Sequence, residues 1–275
     1  MVDGIMRTAA EKLSSLPFVE AVVLGGSRAR GTHSADSDID IGVYYRADLF
    51  DLYAINRAAA ELDDERREKL VVPPGGWGEW VNGGGWLVVG GYHVDLILRD
   101  IQRVERIVEE TERGVVTAHY QTGHPHGYIS TMYRGELAIC KVLYAKDARF
   151  FALKRRAEEY PAALRDALIS FFLFEAEFSL TIMRANAASG DKYYAAGHLF
   201  RAVSCLNQVL FACNGAYCIN EKKAVMMIAS FPRKPEDYEK KVTRLFESLA
   251  GSLQECSALA GSLLSEVKDI ASALS

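Results

Sequence analysis

The sequence lacks any excess of positive charge. Its 32 Lys and Arg stand against 36 Asp and Glu, a net charge of −4, so little is available to displace the counterions of a long polyanion. That disfavours a general nucleic-acid binder and requires any phosphate-bearing ligand to be held by local groups or by metal. Cysteine is scarce as well. Cys140, Cys205, Cys213, Cys218 and Cys256 are odd in number and show no C-x-x-C spacing, which argues against a disulfide framework or a structural zinc site and for a reducing cytoplasm. Long hydrophobic runs are missing: the longest, near Leu168 to Phe174, stops at Glu175, well short of the roughly 18 residues a membrane span needs. Asp3 and Glu11 interrupt the N-terminus, so no targeting segment or membrane partner is expected. Internal repeats and low-complexity tracts are also absent. What remains, 49% apolar and 25% charged in 275 residues, is the balance of a soluble protein with one large domain or two modest ones.

The first half alternates strand and helix signals. Val2 to Leu13 reads as a helix, and Phe18 to Leu24 as a buried strand that stops at Gly25-Gly26. Ser37 to Tyr45 reads as a second strand, followed by a helix from Leu49 to Leu62. Trp86 to Val89 and Tyr92 to Leu98 flank Gly90-Gly91 as a hairpin. A helix is expected over Ile101 to Glu110, a strand near Val115 to Gln121, a loop over Gly123 to Gly127 and a helix from Ser130 to Leu143. Beyond Phe150 only helical patterns occur: one helix starting at Pro161 and apolar nearly all round at Phe171 to Phe178, one capped by Asp191 and ending at Asn214-Gly215, and two more near Glu236 to Ala250 and Leu253 to Leu274. The chain is therefore expected to be α+β, with a mixed sheet flanked by helices in residues 1–148 and an all-α bundle in residues 149–275.

The chemistry sits between residues 25 and 40. A strand ending at Gly25-Gly26 lets backbone approach a ligand closely, and the following Ser27 opens a helix-like turn whose N–H groups suit an anion. After Ser27 and ten intervening residues, Asp38 and Asp40 lie two apart on a strand, which sends both carboxylates to one face at about 6.5 to 7 Å along the backbone. Such neighbours raise each other's pKa unless a counter-charge joins them, and Mg²⁺ is the counter-charge that oxygen-only ligands suit. Asp95, in the apolar run from Tyr92 to Leu98, completes a three-carboxylate site if its strand adjoins that of Asp40.

This pattern of G-G-S, ten residues, D-x-D and a later Asp on an apolar strand resembles the polymerase-β-type nucleotidyltransferase superfamily. The segment Arg28-Ala-Arg30-Gly-Thr32 is similar to its small members, and the two-part organisation is similar to bacterial aminoglycoside and lincosamide nucleotidyltransferases. The resemblance implies a transferase that moves NMP, AMP from ATP or another NTP, onto a hydroxyl of a small molecule, an antibiotic among the options, and releases pyrophosphate. It implies that Asp38, Asp40 and Asp95 hold two Mg²⁺ ions and that Gly25, Gly26, Ser27 and Arg28 contact the nucleotide. Rival readings are protein AMPylation by an antitoxin-like enzyme, or a nucleotide-binding regulatory module without catalysis. Proteins of this architecture sometimes complete a cleft across subunits, so a homodimer is a further option.

Other residues keep two readings. Glu136 is either a general base for the acceptor hydroxyl or a solvated acid on a helix. Arg201 and Lys222 are candidates for neutralising the leaving pyrophosphate, or ordinary surface cations. Trp77, Trp80 and Trp86 either wall an acceptor pocket or pack on one another. His124 and His126 are a ligand pair or a hydrogen-bonded loop. Glu177, Thr181 and Arg184 share a helix face, as a buried ion pair or as the lining of a cleft between the domains.

Overall fold

The computed structural model describes residues 1–274. In chain order it runs α1 (Val2–Ser14), β1 (Val19–Leu24), α2 (Gly26–Arg30), β2 (Ile39–Tyr45), α3 (Leu52–Leu62), β3 (Val71–Val72), β4 (Gly83–Val89), β5 (Tyr92–Asp100), α4 (Ile101–Glu112), β6 (Ala118–Gln121), β7 (His124–Ile129), α5 (Thr131–Ile139), β8 (Lys141–Ala145), α6 (Ala148–Glu158), α7 (Ala162–Ala185), α8 (Lys192–Cys213), α9 (Ala224–Ile228), α10 (Tyr238–Ser248) and α11 (Leu253–Ser272). Two compact units result. The first holds residues 1–109, 119–123 and 133–159; the second holds 110–118, 124–132 and everything from Tyr160 onward.

The first unit is built on a six-stranded mixed sheet in the order β3-β4-β5-β2-β1-β8. β2 and β5 are its parallel pair, while β1 with β2, β4 with β5 and β1 with β8 run antiparallel. Strand alternation decides what each face carries. Ile39, Ile41 and Val43 of β2, with Val94, Leu96 and Leu98 of β5, turn to one side and are fully buried. They form a common core with Ile5, Ala9 and Leu13 of α1 and with Ile55, Ala59 and Leu62 of α3. Apolar residues at helical spacing of three and four make these helices one-sided, and Asp51 caps α3 by accepting from the Tyr53 and Ala54 N–H groups. The intervening positions, Asp40 and Asp95, are thereby committed to the opposite face.

Three expectations change. The helix read as Ser130 to Leu143 stops at Ile139, and Lys141–Ala145 instead forms β8 on the edge of the sheet beside β1. A short apolar run fits either period, so only the pairing partner distinguishes them. The segment expected as a loop at Gly123 to Gly127 is largely strand β7. Burial along α7 is one-sided despite its apolar sequence: Leu168, Phe172, Ala176 and Met183 are buried, whereas Phe174 and Phe178 are 72% and 56% exposed.

In the second unit α7 and α8 pack along their lengths, with α11 against both. From Ala202 to Cys213 α8 carries no charged residue and is buried throughout. Its Asn207 accepts a 2.8 Å hydrogen bond from the Tyr238 hydroxyl of α10, which satisfies a polar pair in an otherwise apolar interior. Asp191 caps α8 by accepting from the Tyr194 N–H. Among the described residues no helix is long and apolar enough to cross a membrane.

Candidate active site

The sheet register brings the acids together. Asp40 lies directly opposite Asp95 across the parallel β2/β5 pair, so both side chains leave the same face of adjacent strands. Asp38 stands just before β2, which begins at Ile39 rather than at Ser37 as expected, and it is exposed while Asp40 and Asp95 are half-buried. Burial raises the Asp40 pKa to about 6, with the charges of Asp95, Asp38 and Glu136 adding to the rise. Asp95 is likewise pushed up, by burial first and then by Asp38, with His93 opposing. Asp40 and Asp95 thus each feel the charge of Asp38.

The glycine turn is fitted to them. The Gly25 N–H donates to the Asp40 backbone carbonyl at 2.8 Å, joining the end of β1 to β2. Gly26 has φ +55°, and a Cβ there would overlap the Asp40 carboxylate, so only glycine brings this turn so close to the acid. Ser27 follows, half-buried on α2. The first N–H groups of a helix have no intrahelical partner, and Gly25 offers no side chain to cap them.

Arg28 is spent on structure. Its buried guanidinium donates to the carbonyls of Ser37, at 2.6 Å and 3.1 Å, and Asp38, at 3.1 Å, with a longer bond to Ala35. It braces the loop that delivers Asp38 rather than lying open to a ligand. Glu136, on α5, is close enough to act on Asp40, yet both its carboxylate oxygens are taken by Arg99, at 2.7 Å and 2.9 Å. Sequence reasoning missed Arg99. The available signal was alternation: Arg99 is four residues beyond Asp95 on the same strand, hence on the same face.

Residues 6–116 match the family model of the nucleotidyltransferase domain. The chain carries a nucleotidyltransferase domain. The matched segment contains the glycine turn, Asp38, Asp40 and Asp95, and it ends before Glu136, Arg201 and Lys222. This is the domain of an enzyme, a transferase of nucleotidyl groups, so a nucleoside triphosphate is its substrate. No curated protein matches the sequence. The crystal structure of a nucleotidyltransferase-like protein from Exiguobacterium sibiricum 255-15 aligns with a TM-score of 0.48 at 13% identity, over 99% of this chain and 75% of that one.

Nucleotidyltransferase domains use divalent metal, and the donor set here fits a hard cation. Asp40 and Asp95 lie side by side, the charge of Asp38 reaches both, no soft ligand is among them, and what lowers the Asp40 pKa is a bond to its own backbone. Asp38, Asp40 and Asp95 are the residues that would hold it.

The remaining candidates lie in the second unit. Arg201 is ion-paired with Glu175. Lys222 is exposed, its backbone N–H donating to the Asn220 side chain at 2.7 Å. His124 Nδ1 stands 3.3 Å from one Glu221 carboxylate oxygen, and the His126 backbone N–H donates to the other at 3.0 Å. His126, Glu175 and Cys205 place their donor atoms within 4.8 Å of one another. Burial pushes the Cys205 thiol pKa far up, Arg201 pairs with Glu175, and Cys205 Sγ lies 3.4 Å from His126 Nε2. Glu177, Thr181 and Arg184 are exposed rather than a buried ion pair: Glu177 pairs with Lys268 at 2.7 Å, and the Thr181 hydroxyl donates to the Glu177 carbonyl.

Proposed function

We propose that the nucleotidyltransferase domain moves AMP from ATP onto a hydroxyl of a small molecule with release of pyrophosphate, using magnesium bound by Asp38, Asp40 and Asp95. The pairing of Asp40 with Asp95 on one sheet face beside the glycine turn, with Asp40 pushed up to about 6, carries the reading. When bound, magnesium would supply Lewis acidity, lowering the hydroxyl's pKa and offsetting charge on the transferring phosphoryl group. The chain's own residues do the rest. Gly26 and Ser27 present backbone N–H groups to the phosphates, and the Gly26 turn keeps that seat against Asp40. Asp95 is the proposed proton acceptor for the hydroxyl, because among the described residues none donates a hydrogen bond to its carboxylate, while both oxygens of Glu136 are held by Arg99. Glu136 and Arg99 then serve as a neutral pair that fixes the wall beside Asp40.

Thermal shift tests the metal and nucleotide part. ATP with Mg²⁺ stabilises the wild type by several degrees, and Asp38→Ala and Asp40→Ala lose that gain while still folding; equal shifts in all three proteins refute the site. Pyrophosphate release over a library of hydroxyl compounds, with labelled ATP, tests the acceptor. Label on a soluble product supports the reading, whereas label on protein replaces a small-molecule acceptor with a polypeptide one.

A further inference from the structure

Trp86 occupies the third place in the row of the acids. It lies directly opposite Asp95 across the β4/β5 pair, just as Asp40 lies opposite Asp95 across β5/β2. Reading across one sheet face, the order is therefore Trp86, Asp95, Asp40 and then the glycine turn, joined to Asp40 through the Gly25 N–H. The neighbouring Leu87 points the other way, into the core. Trp86 is 62% exposed, a large apolar ring left open beside charged groups.

That ring is built in. Trp77 stacks on it with ring centroids 4.8 Å apart and planes 24° from parallel. Trp77 lies over Gly84, where a Cβ would come 2.6 Å from its ring. Its backbone is fixed at both ends: the N–H donates to the Asn82 carbonyl at 3.0 Å, and its carbonyl accepts from Gln121 at 2.7 Å. A second indole, a glycine gap and a hydrogen-bonded loop together hold Trp86 in place, which lowers the entropy lost when a ligand stacks on it.

Direction follows from the chemistry. Phosphoryl transfer puts the attacking and leaving oxygens in line, on opposite sides of phosphorus. With the leaving pyrophosphate at the glycine turn, on the β1 side of the acids, the attacking hydroxyl approaches from the β4 side, where Trp86 stands. We propose that Trp86 is the stacking wall of the acceptor subsite, and that the acceptor is a ring-bearing alcohol that lays a ring face on the indole while its hydroxyl reaches Asp95. This rests on the nucleotidyl-transfer reading above.

The test uses the full chain with ATP, Mg²⁺ and two sets of probes: cyclic alcohols (methyl glycosides, inositol, nucleosides, benzyl alcohol) and acyclic polyols (glycerol, threitol, sorbitol). The three tryptophans give three indole N–H signals in NMR, and Trp86→Phe identifies that of Trp86. Cyclic probes are expected to move this signal and to support pyrophosphate release, and acyclic ones to do neither. For the best acceptor, Trp86→Ala raises the acceptor KM about tenfold, Trp86→Phe restores most of it, and the KM for ATP changes less than twofold. Preference for acyclic acceptors, an unchanged acceptor KM in Trp86→Ala, or a Trp86 signal unmoved by every cyclic probe overturns the proposal. A matching rise in the KM for ATP overturns it too, by assigning the wall to the nucleobase. In each of those cases stabilisation by ATP and Mg²⁺, lost in Asp40→Ala, leaves nucleotidyl transfer standing; its absence in the wild type sinks the parent reading instead.

Discussion

Asp40 is a carboxylate that the folded protein makes hard to ionise. Unfolded, it titrates at the ordinary 3.8; folded, at about 6. Between those values the folded state keeps a proton that the unfolded chain has already lost, so stability falls as pH rises through the window and the penalty is complete above it. Removing the charge should remove the penalty. In EDTA, Asp40→Asn is expected to raise Tm by about 2 to 4 °C at pH 7.5 and to leave it unchanged near pH 3.5, where the wild-type acid is protonated in both states. Magnesium should then raise the Tm of the wild type at pH 7.5 and do little for the variant. A melting series that shows Asp40→Asn less stable at pH 7.5 than at pH 3.5, relative to wild type, contradicts the assignment of strain to this acid. Arg99 marks the opposite case at the same scale, since its guanidinium, bonded to both oxygens of Glu136 and to the carbonyls of Val81 and Leu98, holds one charge near the acids in fixed balance.

At the scale of elements, the short α2 and the loop after it set where Asp38 stands. No strand pairing holds Asp38, because β2 starts one residue later. Its backbone carbonyl is held instead by Arg28, which also holds Ser37. Arg28→Ala should therefore release the loop: the Mg²⁺ concentration needed for half-maximal rate rises, and the rate falls about 10- to 100-fold, the range over which misplacing a reacting group acts. Arg28→Lys restores little, since one ammonium does not reproduce the guanidinium's fork of donors. A magnesium titration in which Arg28→Ala overlays the wild type removes Arg28 from the site's architecture. The same elements show what the sequence made legible. β1, β2, the β4/β5 hairpin, α1 and α4 announce themselves through alternating or one-sided apolar residues and through glycines at their ends. Asp40 and Asp95 share a face because strand alternation and register put them there, whereas Asp38, expected on the same strand as Asp40, stands in the loop before β2. β8 was not legible, because Lys141 to Ala145 continues the apolar pattern of α5 and becomes a strand only by pairing with β1. Arg99 and Glu136 meet 37 residues apart, a contact that no local pattern encodes. Nor did periodicity separate the buried from the exposed phenylalanines of α7, since both kinds are apolar.

For the molecule as a whole, many of the cations are paired with acids of the same chain. Arg46 pairs with Asp48, Arg67 with Asp63, Lys154 with Glu158, Arg201 with Glu175, Lys241 with Glu266 and Lys268 with Glu177, and Arg28 and Arg99 are buried against carbonyls and a carboxylate. With a net charge of −4 in addition, acids outnumber the cations that could exchange for the counterions of a nucleic acid. Affinity for a polyanion grows with the number of phosphates neutralised and falls steeply with salt, so a protein of this balance should show neither property. Transfer RNA or poly(A) in large excess is expected to leave pyrophosphate release unchanged at about 0.15 M salt, a concentration at which only several simultaneous phosphate contacts survive. Neither should accept labelled AMP. Inhibition by tRNA that weakens steeply with added salt would reveal a phosphate-binding surface and move the acceptor from small molecules to RNA. Absence of inhibition leaves recognition to the local groups of the acid face, where a triphosphate can be held by backbone and metal without any field from the rest of the protein.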